Sequence, residues 1–465
     1  MSSPANITVP QPPAIGNEAG LRRQLTAGQM AMLAVGGSIG TGLLLGSGAA
    51  IKIAGPAVIL SYVIGALIAF TVTMALGEMA SAHPAAGSFG VYAELYLNSW
   101  AGFVARYGYW FAVMIAVAAE LVAAATYMQT WFPSVRPVVW IVVFAALLLL
   151  VNLRPVGDYG SFEYWFAMIK VITIAVFIVI GAALLFSGRV PAQYQAHGGF
   201  FPTGAGSPFL ACSFALFSFL GIEFVAIASG EARSPQDVAR ATRIMFAMLA
   251  MIYLGATAVL VGVMPWTQAG IAQSPFVTVF RIARIPAASL LMNAVVLSAA
   301  LSGANANIFA AGRMLFSLAR SGYAPQRLGR VSASGSPHIA LSLSAIGILV
   351  AIATQTYAPQ SAYLYIIGAS LFGGMLAWWI TLAAHIRFRR RISDEELRRL
   401  PLRVPGGAVL SALGFVALLA AVFSTWWVPE SRITIVSGPF YLLLLTIIYF
   451  GVRRGSGAEG KLGIR

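Results

Sequence analysis

Three ionisable residues lie inside long apolar stretches of the chain, where an unpaired charge is costly. They are Glu120, Lys170 and Glu223. At the centre of a bilayer such a side chain costs about 2.5–3.5 kcal/mol on insertion scales, and residues kept there commonly belong to ion or proton pathways. We therefore predict that these three residues take part in moving protons. For the two glutamates the alternative is structural: their carboxylates would accept hydrogen bonds from irregular backbone.

The elements that would position these groups include two helices interrupted by glycine. Residues 36–42 read GGSIGTG in the middle of an apolar stretch, and each glycine costs about 1 kcal/mol relative to alanine in a helix interior. Close packing of neighbouring helices is one explanation. The other is a break at mid-membrane, which would leave backbone N–H and C=O groups for a ligand. Gly221, beside Glu223 in a later stretch, forms a matching pair and favours a break.

The composition places the chain in a membrane. Hydrophobic residues make up 59% of its 465 residues and charged residues 9%, with a mean hydropathy of +0.84, whereas soluble domains are about a quarter charged. The net charge of +15 does not indicate nucleic acid, because no basic stripe alternates with aromatic residues. The single cysteine, Cys212, excludes an intrachain disulfide framework.

Twelve stretches are long and apolar enough to cross a bilayer, which takes about 20 helical residues. They predict an all-α polytopic membrane protein and lie at 30–50, 57–80, 101–129, 136–153, 162–186, 209–229, 241–263, 287–312, 339–357, 361–384, 406–426 and 434–452. We predict a single transmembrane domain over 25–452. Residues 1–24, which lack the apolar core of a signal peptide, are expected to form a disordered cytoplasmic tail, and residues 453–465 a second tail.

Lysine and arginine residues set the predicted orientation, because they concentrate in cytoplasmic loops. With the N-terminus inside, the inner loops and tails hold 22 of them and the outer loops 6, while Lys170 lies within a helix. We therefore expect a multi-pass protein of the cytoplasmic (inner) membrane with both termini in the cytoplasm. The polar loop 81–98 is expected to form short helical pieces on that side, and the charged linker 386–403 to serve solvation and orientation.

Several motifs occur in order along the chain. They are GGSIGTGLLLGSG from Gly36, YWFAVMIAVAAEL from Tyr109, EYWFAMIKV from Glu163, FSFLGIEFVAIASGEARSP from Phe217 and RMLFSLARSGYAP from Arg313. Together they resemble amino acid permeases of the amino acid–polyamine–organocation superfamily, and more closely its bacterial amino acid transporter family. The resemblance implies a five-plus-five inverted repeat (about 25–190 and 205–385) with helices 1 and 6 unwound, two further helices at about 405–452, and proton-driven uptake.

An amino acid presents a carboxylate and an ammonium, and a broken helix can bind both. Free N–H groups and the positive dipole end near Gly40 suit the carboxylate, while carbonyls freed at both breaks suit the ammonium. The predicted substrate-binding residues are Ser38, Ile39, Gly40, Thr41 and Gly42 at the first break, Phe217, Phe219, Gly221 and Ile222 at the second, and Tyr109, Ser302, Asn305 and Asn307 on neighbouring helices. For Ser38 and Thr41 the alternative is a bond to the preceding helical turn, and for the aromatic residues it is ordinary packing.

Two departures from the family pattern concern the substrate side chain. Relatives often have tryptophan shortly after the YWF of the third helix, where this chain has Ala112 and Val113. They commonly have threonine at the position of Ile222. Both changes reduce polarity or bulk, which favours a substrate with a neutral or apolar side chain.

Lys170 lies about eight residues into the fifth predicted stretch, roughly 12 Å at 1.5 Å per residue. That is deep for a side chain that snorkels to the interface. A lysine removed from water can exchange its proton near neutral pH, so we predict that Lys170 carries a proton and touches helices 1 and 8. The resemblance implies the same place, because sodium-coupled relatives of the fold hold an ion there.

Further charged residues lie near the predicted inner ends of helices. Glu231 is predicted to act in a cytoplasmic gate or a local ion pair. Glu78 is expected to pair with an inner arginine such as Arg313.

Three alternatives to a proton-coupled amino acid importer remain, namely an exchanger, an intramembrane enzyme, and a sensor or channel. Broken helices around a central pocket favour alternating access over a sensor or channel. An amino acid exchanger would use Lys170 only as a fixed charge. An intramembrane enzyme would need a nucleophile with its base or a set of metal ligands, and the four histidines show no ligand spacing. We expect no cofactor or metal. The expected partners are an amino acid, protons and the lipid bilayer but no nucleic acid, and the chain is expected to be a monomer or weak dimer.

Overall fold

The protein is a bundle of helices, seen in a computed structural model that describes residues 23–455 apart from 24, 86, 153–155, 333–336 and 359–361. The described part contains no strand. Its α-helices, joined in places by short 3₁₀ turns, are α1 (Ala27–Ser38), α2 (Thr41–Leu44), α3 (Gly46–Ala54), α4 (Val58–Ala82), α5 (Ser88–Tyr96), α6 (Ser99–Met128), α7 (Pro137–Asn152), α8 (Val156–Phe186), α9 (Ser207–Leu210), α10 (Cys212–Phe219), α11 (Phe224–Ile227), α12 (Pro235–Val263), α13 (Pro275–Ile282), α14 (Pro286–Arg320), α15 (His338–Ser344), α16 (Ile346–Tyr357), α17 (Ala362–Arg391), α18 (Asp394–Arg399), α19 (Ala408–Phe423) and α20 (Ile433–Gly455).

Ten helical stretches within the described residues are long and apolar enough to cross a membrane. An eleventh, α7, is apolar but spans 16 residues. The all-α expectation is therefore confirmed, and helix occurs in each of the twelve predicted stretches. The number of spans and the inverted repeat stay predictions. The predicted tails lie almost wholly outside the described residues.

Helix ends differ from the predicted ones because apolar stretches mark only the part of a helix that lipid or protein surrounds. Helix α8 begins at Val156 rather than 162, and α14 continues to Arg320 and α17 to Arg391. Polar capping residues set the starts of other helices. Asn98 accepts the N–H of Ala101 at the start of α6, and Ser234 accepts that of Asp237 at the start of α12, as side chains at N-caps do.

The helices divide into an inner and an outer set. In α6, 89% of the most apolar window is buried, whereas in 163–186 of α8 and in 433–452 of α20 the share is 22%. The outer helices expose large apolar side chains, including Leu150, Val179, Leu413 and Phe440, which suits contact with lipid rather than water. Helix α6 packs most extensively on α14 and α17, and α1 packs on α8, α12 and α14. The broken segments therefore lie inside the bundle.

Candidate functional site

The first break separates α1 from α2 at Ile39 and Gly40. The backbone of Ile39 has φ −78° and ψ 81° and that of Gly40 has φ −125° and ψ −152°, so neither is helical. The N–H of Gly40 bonds the carbonyl of Ser38 at 2.9 Å, instead of the Gly36 carbonyl that it would reach in a continuous helix. The break thus releases backbone groups in the protein interior, where they need other partners.

Lys170 supplies one set of partners. Its ammonium donates to the carbonyl of Gly36 and, at 3.1 Å, to the carbonyl of Ile39. The side chain is 1% exposed. Because α8 begins at Val156, Lys170 lies 14 residues into the helix, or about 21 Å, deeper than the sequence suggested. The contact with the first helix is as predicted, whereas the link to α14 runs through other residues.

Glu120 of α6 supplies the next partner. Both of its carboxylate oxygens lie 3.2 Å from the N–H of Thr41, the first residue of α2. Gly40 lets the carboxylate come this close, because a Cβ at that position would overlap Glu120 Oε1. A continuous helix would give the Thr41 N–H to the carbonyl of Gly37. That carbonyl is therefore released as well, at a residue that lines the central cavity described below.

The second break follows α10. Leu220 is extended, with ψ 136°, and Gly221 has φ +111°, a conformation that side chains disfavour. The two breaks pack face to face at this point. A Cβ on Gly221 would lie 2.6 Å from Ser38 Oγ and 2.8 Å from Ser38 N. Both the dihedral angle and the close approach therefore require glycine here.

Glu223 closes the second break in the way that Glu120 closes the first. Its Oε2 accepts the N–H of Gly221 at 2.7 Å and lies 3.5 Å from the Tyr109 hydroxyl, while its Oε1 accepts the indole N–H of Trp378. Both carboxylates thus accept hydrogen bonds from irregular backbone, which is the structural role that the sequence analysis gave as the alternative. A role in proton movement stays a prediction for both.

Two tyrosines connect the breaks to the rest of the bundle. The Tyr253 hydroxyl lies 2.8 Å from the carbonyl of Ser38 and 2.7 Å from that of Ser218, so one side chain of α12 contacts both broken segments. The Tyr363 hydroxyl donates to the carbonyl of Thr41 at 2.6 Å. The sequence did not indicate either residue.

A cavity lies between the two breaks. Its volume of about 30 Å³ is enough for about two waters but smaller than the sites that bind organic ligands. Ser38 has a buried hydroxyl with no hydrogen-bond partner on this wall. The residues that line the cavity are Gly37, Ser38, Gly40, Gly42, Tyr109, Ala112, Val113, Ala116, Glu120, Phe217, Leu220, Gly221, Asn307, Ser370 and Gly374.

Comparisons with known proteins bear on this arrangement. The family described as Amino acid permease matches residues 29–459. The probable threonine/serine transporter YbxG of Bacillus subtilis is 34% identical over 452 residues, which cover 95% of this chain and 97% of that protein. The chain belongs to the amino acid permease family. Another relative of this permease, the aromatic amino acid transport protein AroP of Escherichia coli O6:H1, is 36% identical over 437 residues, covering 92% of this chain and 95% of that protein.

A solved structure supports the fold of the permease. The Eremococcus coleocola manganese transporter, crystallised with an aromatic bis-isothiourea compound, superposes with a TM-score of 0.59 and is 13% identical. The match covers 95% of this chain and 99% of that chain. At this identity the likeness concerns the fold alone. Together with the family and the apolar helices, it makes the permease a multi-pass membrane protein.

Not every predicted binding residue lines the cavity of the permease. Ile39 and Thr41 contribute backbone groups to Lys170, Glu120 and Tyr363 instead. Phe219 packs on Tyr253 with ring centroids 4.8 Å apart, and Ile222 is buried away from the cavity lining. The reason is geometric: side chains on one helical turn point in different directions, and only part of each turn faces the partner break.

Ser302 and Asn305 belong to a different polar cluster. The Ser302 hydroxyl donates to Glu163 Oε1, and the Asn305 amide lies 3.4 Å from Glu163 Oε2. Their placement in the substrate pocket is therefore a correction, because this face of α14 turns toward α8. Glu163, which is fully buried, had no predicted role. The sequence signal that could have indicated a role for Glu163 is its position seven residues before Lys170 in the EYWFAMIKV motif.

The ion pairs of the permease match the predicted ones only in part. Arg313 lies 3.2 Å from Glu231, as a local pair or gate would require. Glu78 pairs with an arginine, as expected, but the partner is Arg389 and not Arg313. Its carboxylate instead lies 2.7 Å from the guanidinium of Arg389 and 3.3 Å from His385, and accepts the N–H of Val404 at 2.6 Å. Sequence alone offered many arginines at helix ends and gave no means of choosing among them.

Proposed function

We propose that this permease imports amino acids across the cytoplasmic membrane by proton symport with alternating access. The observation that carries the proposal is the pair of helix breaks that face one cavity with released backbone groups. Discontinuous helices of this kind form midplane substrate sites in transporters. The amino acid permease family and the amino acid transporters among the relatives support the substrate class.

The first break offers complementary groups for both ends of an amino acid. Helix α2 starts at Thr41, and its first N–H groups have no acceptor within the helix. Because Glu120 takes the N–H of Thr41, we assign the substrate carboxylate to the N–H of Gly42 and the free hydroxyl of Ser38. The ammonium is assigned to the released carbonyl of Gly37, with the carbonyl of Leu220 opposite.

Neutral amino acids fit the remaining walls of the cavity. Apart from Tyr109 and Glu120 of α6, the residues of α6 and α17 that line the cavity are small or apolar, namely Ala112, Val113, Ala116, Ser370 and Gly374. The Ser370 hydroxyl is already bonded to the carbonyl of Ala112 at 2.8 Å. No cationic side chain of the described residues lines the cavity to pair with an acidic substrate. The named substrates of the two relatives, threonine or serine and aromatic amino acids, are neutral too.

Lys170 would couple the substrate site to protons. As an ammonium it holds the carbonyl of Gly36 at the end of α1 and the carbonyl of Ile39 at the break. Loss of its proton would remove a donor and the charge, which would loosen the break that forms the substrate site. The cavity is too small for an amino acid in this conformation, so binding requires the surrounding segments to move apart.

The topology is part of the same proposal. Twelve spans, arranged as two inverted repeats of five (about 25–190 and 205–385) and two C-terminal helices, would place both termini in the cytoplasm. A monomer or weak dimer would suffice, because the breaks, the cavity and Lys170 belong to one chain.

Uptake into liposomes tests the proposal and separates it from amino acid exchange. Purified protein is reconstituted and supplied with labelled threonine, phenylalanine or 4-aminobutyrate, with and without an inward proton gradient. We expect the gradient to drive accumulation of at least one of these, and Lys170→Ala to abolish that accumulation. An exchanger would instead need internal amino acid and ignore the gradient. Full gradient-driven accumulation by Lys170→Ala would contradict the assigned role of Lys170.

A further inference from the structure

We propose that Glu163 is the proton acceptor that follows Lys170, so that the two residues form a relay leading out of the substrate site. This inference rests on the proposed proton symport. The Glu163 carboxylate is fully buried and lies seven residues before Lys170 on α8, which is two helical turns along the same face. Buried chains of carboxylates and other titratable groups are a recurring form of proton pathway in membrane transporters.

One residue of α1, Gly36, contacts both groups. The carbonyl of Gly36 accepts a hydrogen bond from the Lys170 ammonium. The Cα of the same glycine faces Glu163, because a Cβ there would lie 2.8 Å from Glu163 Oε1. A side chain at position 36 would therefore separate the carboxylate from the region of the ammonium. The glycine run thus has a second use beside the break, which is to keep this space open.

The surroundings of Glu163 suit a group that holds and releases a proton. Ser302 donates to one carboxylate oxygen, and the Asn305 amide approaches the other. The Asn152 amide of α7 in turn donates to the Asn305 side-chain oxygen at 2.6 Å. These neutral partners can serve either form of the carboxyl group, because the Ser302 hydroxyl can both donate and accept. A fixed arginine partner would instead hold it permanently ionised.

The charged groups around Glu163 are few. Lys170 interacts with it electrostatically and also with Glu120 of α6. Helix α1 carries no titratable residue, and the Tyr253 hydroxyl of α12 is engaged at the two breaks. On α14, Arg313 is paired with Glu231 and Arg320 donates to the carbonyl of Gly329. Among these groups, Lys170 is therefore the charged partner of the Glu163 carboxylate.

The transfer is a single proton step. An N–H bond of the Lys170 ammonium breaks, its electron pair stays on nitrogen, and an O–H bond forms on Glu163 Oε1, which leaves a neutral amine and a neutral acid. Release to water regenerates the carboxylate. Glu163 lies on the side of Lys170 that is nearer the start of α8, the cytoplasmic side in the proposed topology. The next residue, Tyr164, lines an open cleft of about 340 Å³ with Thr26, Gly28 and Gln29, so open space borders α8 one residue after Glu163.

Reconstituted protein separates a relay from a purely structural role. Glu163→Gln keeps the shape and the hydrogen bonding of the side chain but cannot exchange a proton. We expect it to retain counterflow of labelled threonine or phenylalanine within about twofold of wild type, and to lose gradient-driven accumulation and substrate-induced proton influx about tenfold or more, since only the coupled cycle needs the relay. Glu163→Asp should restore part of the proton influx. Ser298→Ala, which removes a hydroxyl of α14 that donates to the carbonyl of Val295 at 2.8 Å, is the matched control and should stay coupled.

Three results would overturn the relay. Gradient-driven accumulation at the wild-type level by Glu163→Gln would show that the carboxylate carries no proton. A parallel loss of counterflow and accumulation in Glu163→Gln, with no recovery in Glu163→Asp and normal transport by Ser298→Ala, would assign the cluster to packing. A wild-type protein that exchanges amino acids but ignores the gradient would overturn the proposed symport, and the relay with it. If the wild-type protein is coupled to the gradient, the first two results overturn only the relay and leave the symport intact.

Discussion

At the scale of single residues, Gly221 is the position where the site tolerates least change. Its φ of +111° costs a residue with a side chain on the order of 1–3 kcal/mol, and a Cβ would press on Ser38. We expect Gly221→Ala to reduce initial uptake about tenfold or more, because relief of the contact moves the two breaks apart. Uptake of labelled amino acid, normalised to protein in the membrane, measures the effect.

Gly451→Ala is the control for this substitution. Gly451 is helical and exposed, and a Cβ there would meet nothing within 4 Å. The change should leave uptake unaltered and favour the helix slightly. Normal uptake by Gly221→Ala would mean that the breaks do not need to pack at this point.

The sequence identified individual site residues where the residue type was unusual for an apolar stretch. Lys170 and the glycines were conspicuous because charge and glycine are rare in apolar helices. Glu163 was not, since the apolar stretch that begins at 162 made it look like a residue at a helix end. Helix α8 in fact starts at Val156. Ser302 was placed in the wrong cluster because sequence does not give the rotation of α14 relative to α8.

At the scale of elements, Tyr253 of α12 contacts backbone carbonyls of both broken segments. Removing its hydroxyl in Tyr253→Phe leaves the buried carbonyls of Ser38 and Ser218 without that donor, at about 1–3 kcal/mol. Because Ser38 lines the cavity and Ser218 follows the lining residue Phe217, we expect a raised KM for uptake together with a lower melting temperature in detergent.

Tyr441→Phe provides the comparison. The Tyr441 hydroxyl of α20 donates to the carbonyl of Tyr107 at 2.9 Å, away from the breaks. Its loss should lower the melting temperature without a change in KM. Equal KM values for the two variants would show that Tyr253 contributes to stability alone.

Helices and their breaks could be predicted where the local sequence is almost wholly apolar or carries glycine within an apolar stretch. The apolar stretches located the helices, and the two glycine positions located the breaks. The pairing of elements was not predictable, because Tyr253 and Trp378 reach the breaks from helices far away in the sequence. Nothing in a local pattern of residues encodes such a contact.

At the scale of the whole molecule, the distribution of lysine and arginine predicts which loops face the cytoplasm. Replacing the buried Cys212 by alanine gives a background without thiols. In it we expect Ser187→Cys, in the exposed turn after α8, to react with an impermeant maleimide on intact spheroplasts. Gln326→Cys, between α14 and α15 and also exposed, should react only after the membrane is opened.

The two positions control for each other, since each should react fully once the membrane is permeabilised. Labelling of Gln326→Cys but not Ser187→Cys on intact cells would invert the proposed topology. Labelling of both positions on intact cells would place an even number of spans between them, which contradicts the three spans proposed there, 207–231, 235–263 and 290–320.

The cluster around Glu78 limits how the bundle can move. It joins α4, the end of α17 and the chain before α19 through one carboxylate that is fully buried. Leaving such a charge unpaired costs about 3–5 kcal/mol, so at equilibrium only about one molecule in 10² to 10⁴ would have it open. These three pieces are therefore expected to move together, and the joints at residues 39–40 and 220–221 lie outside them.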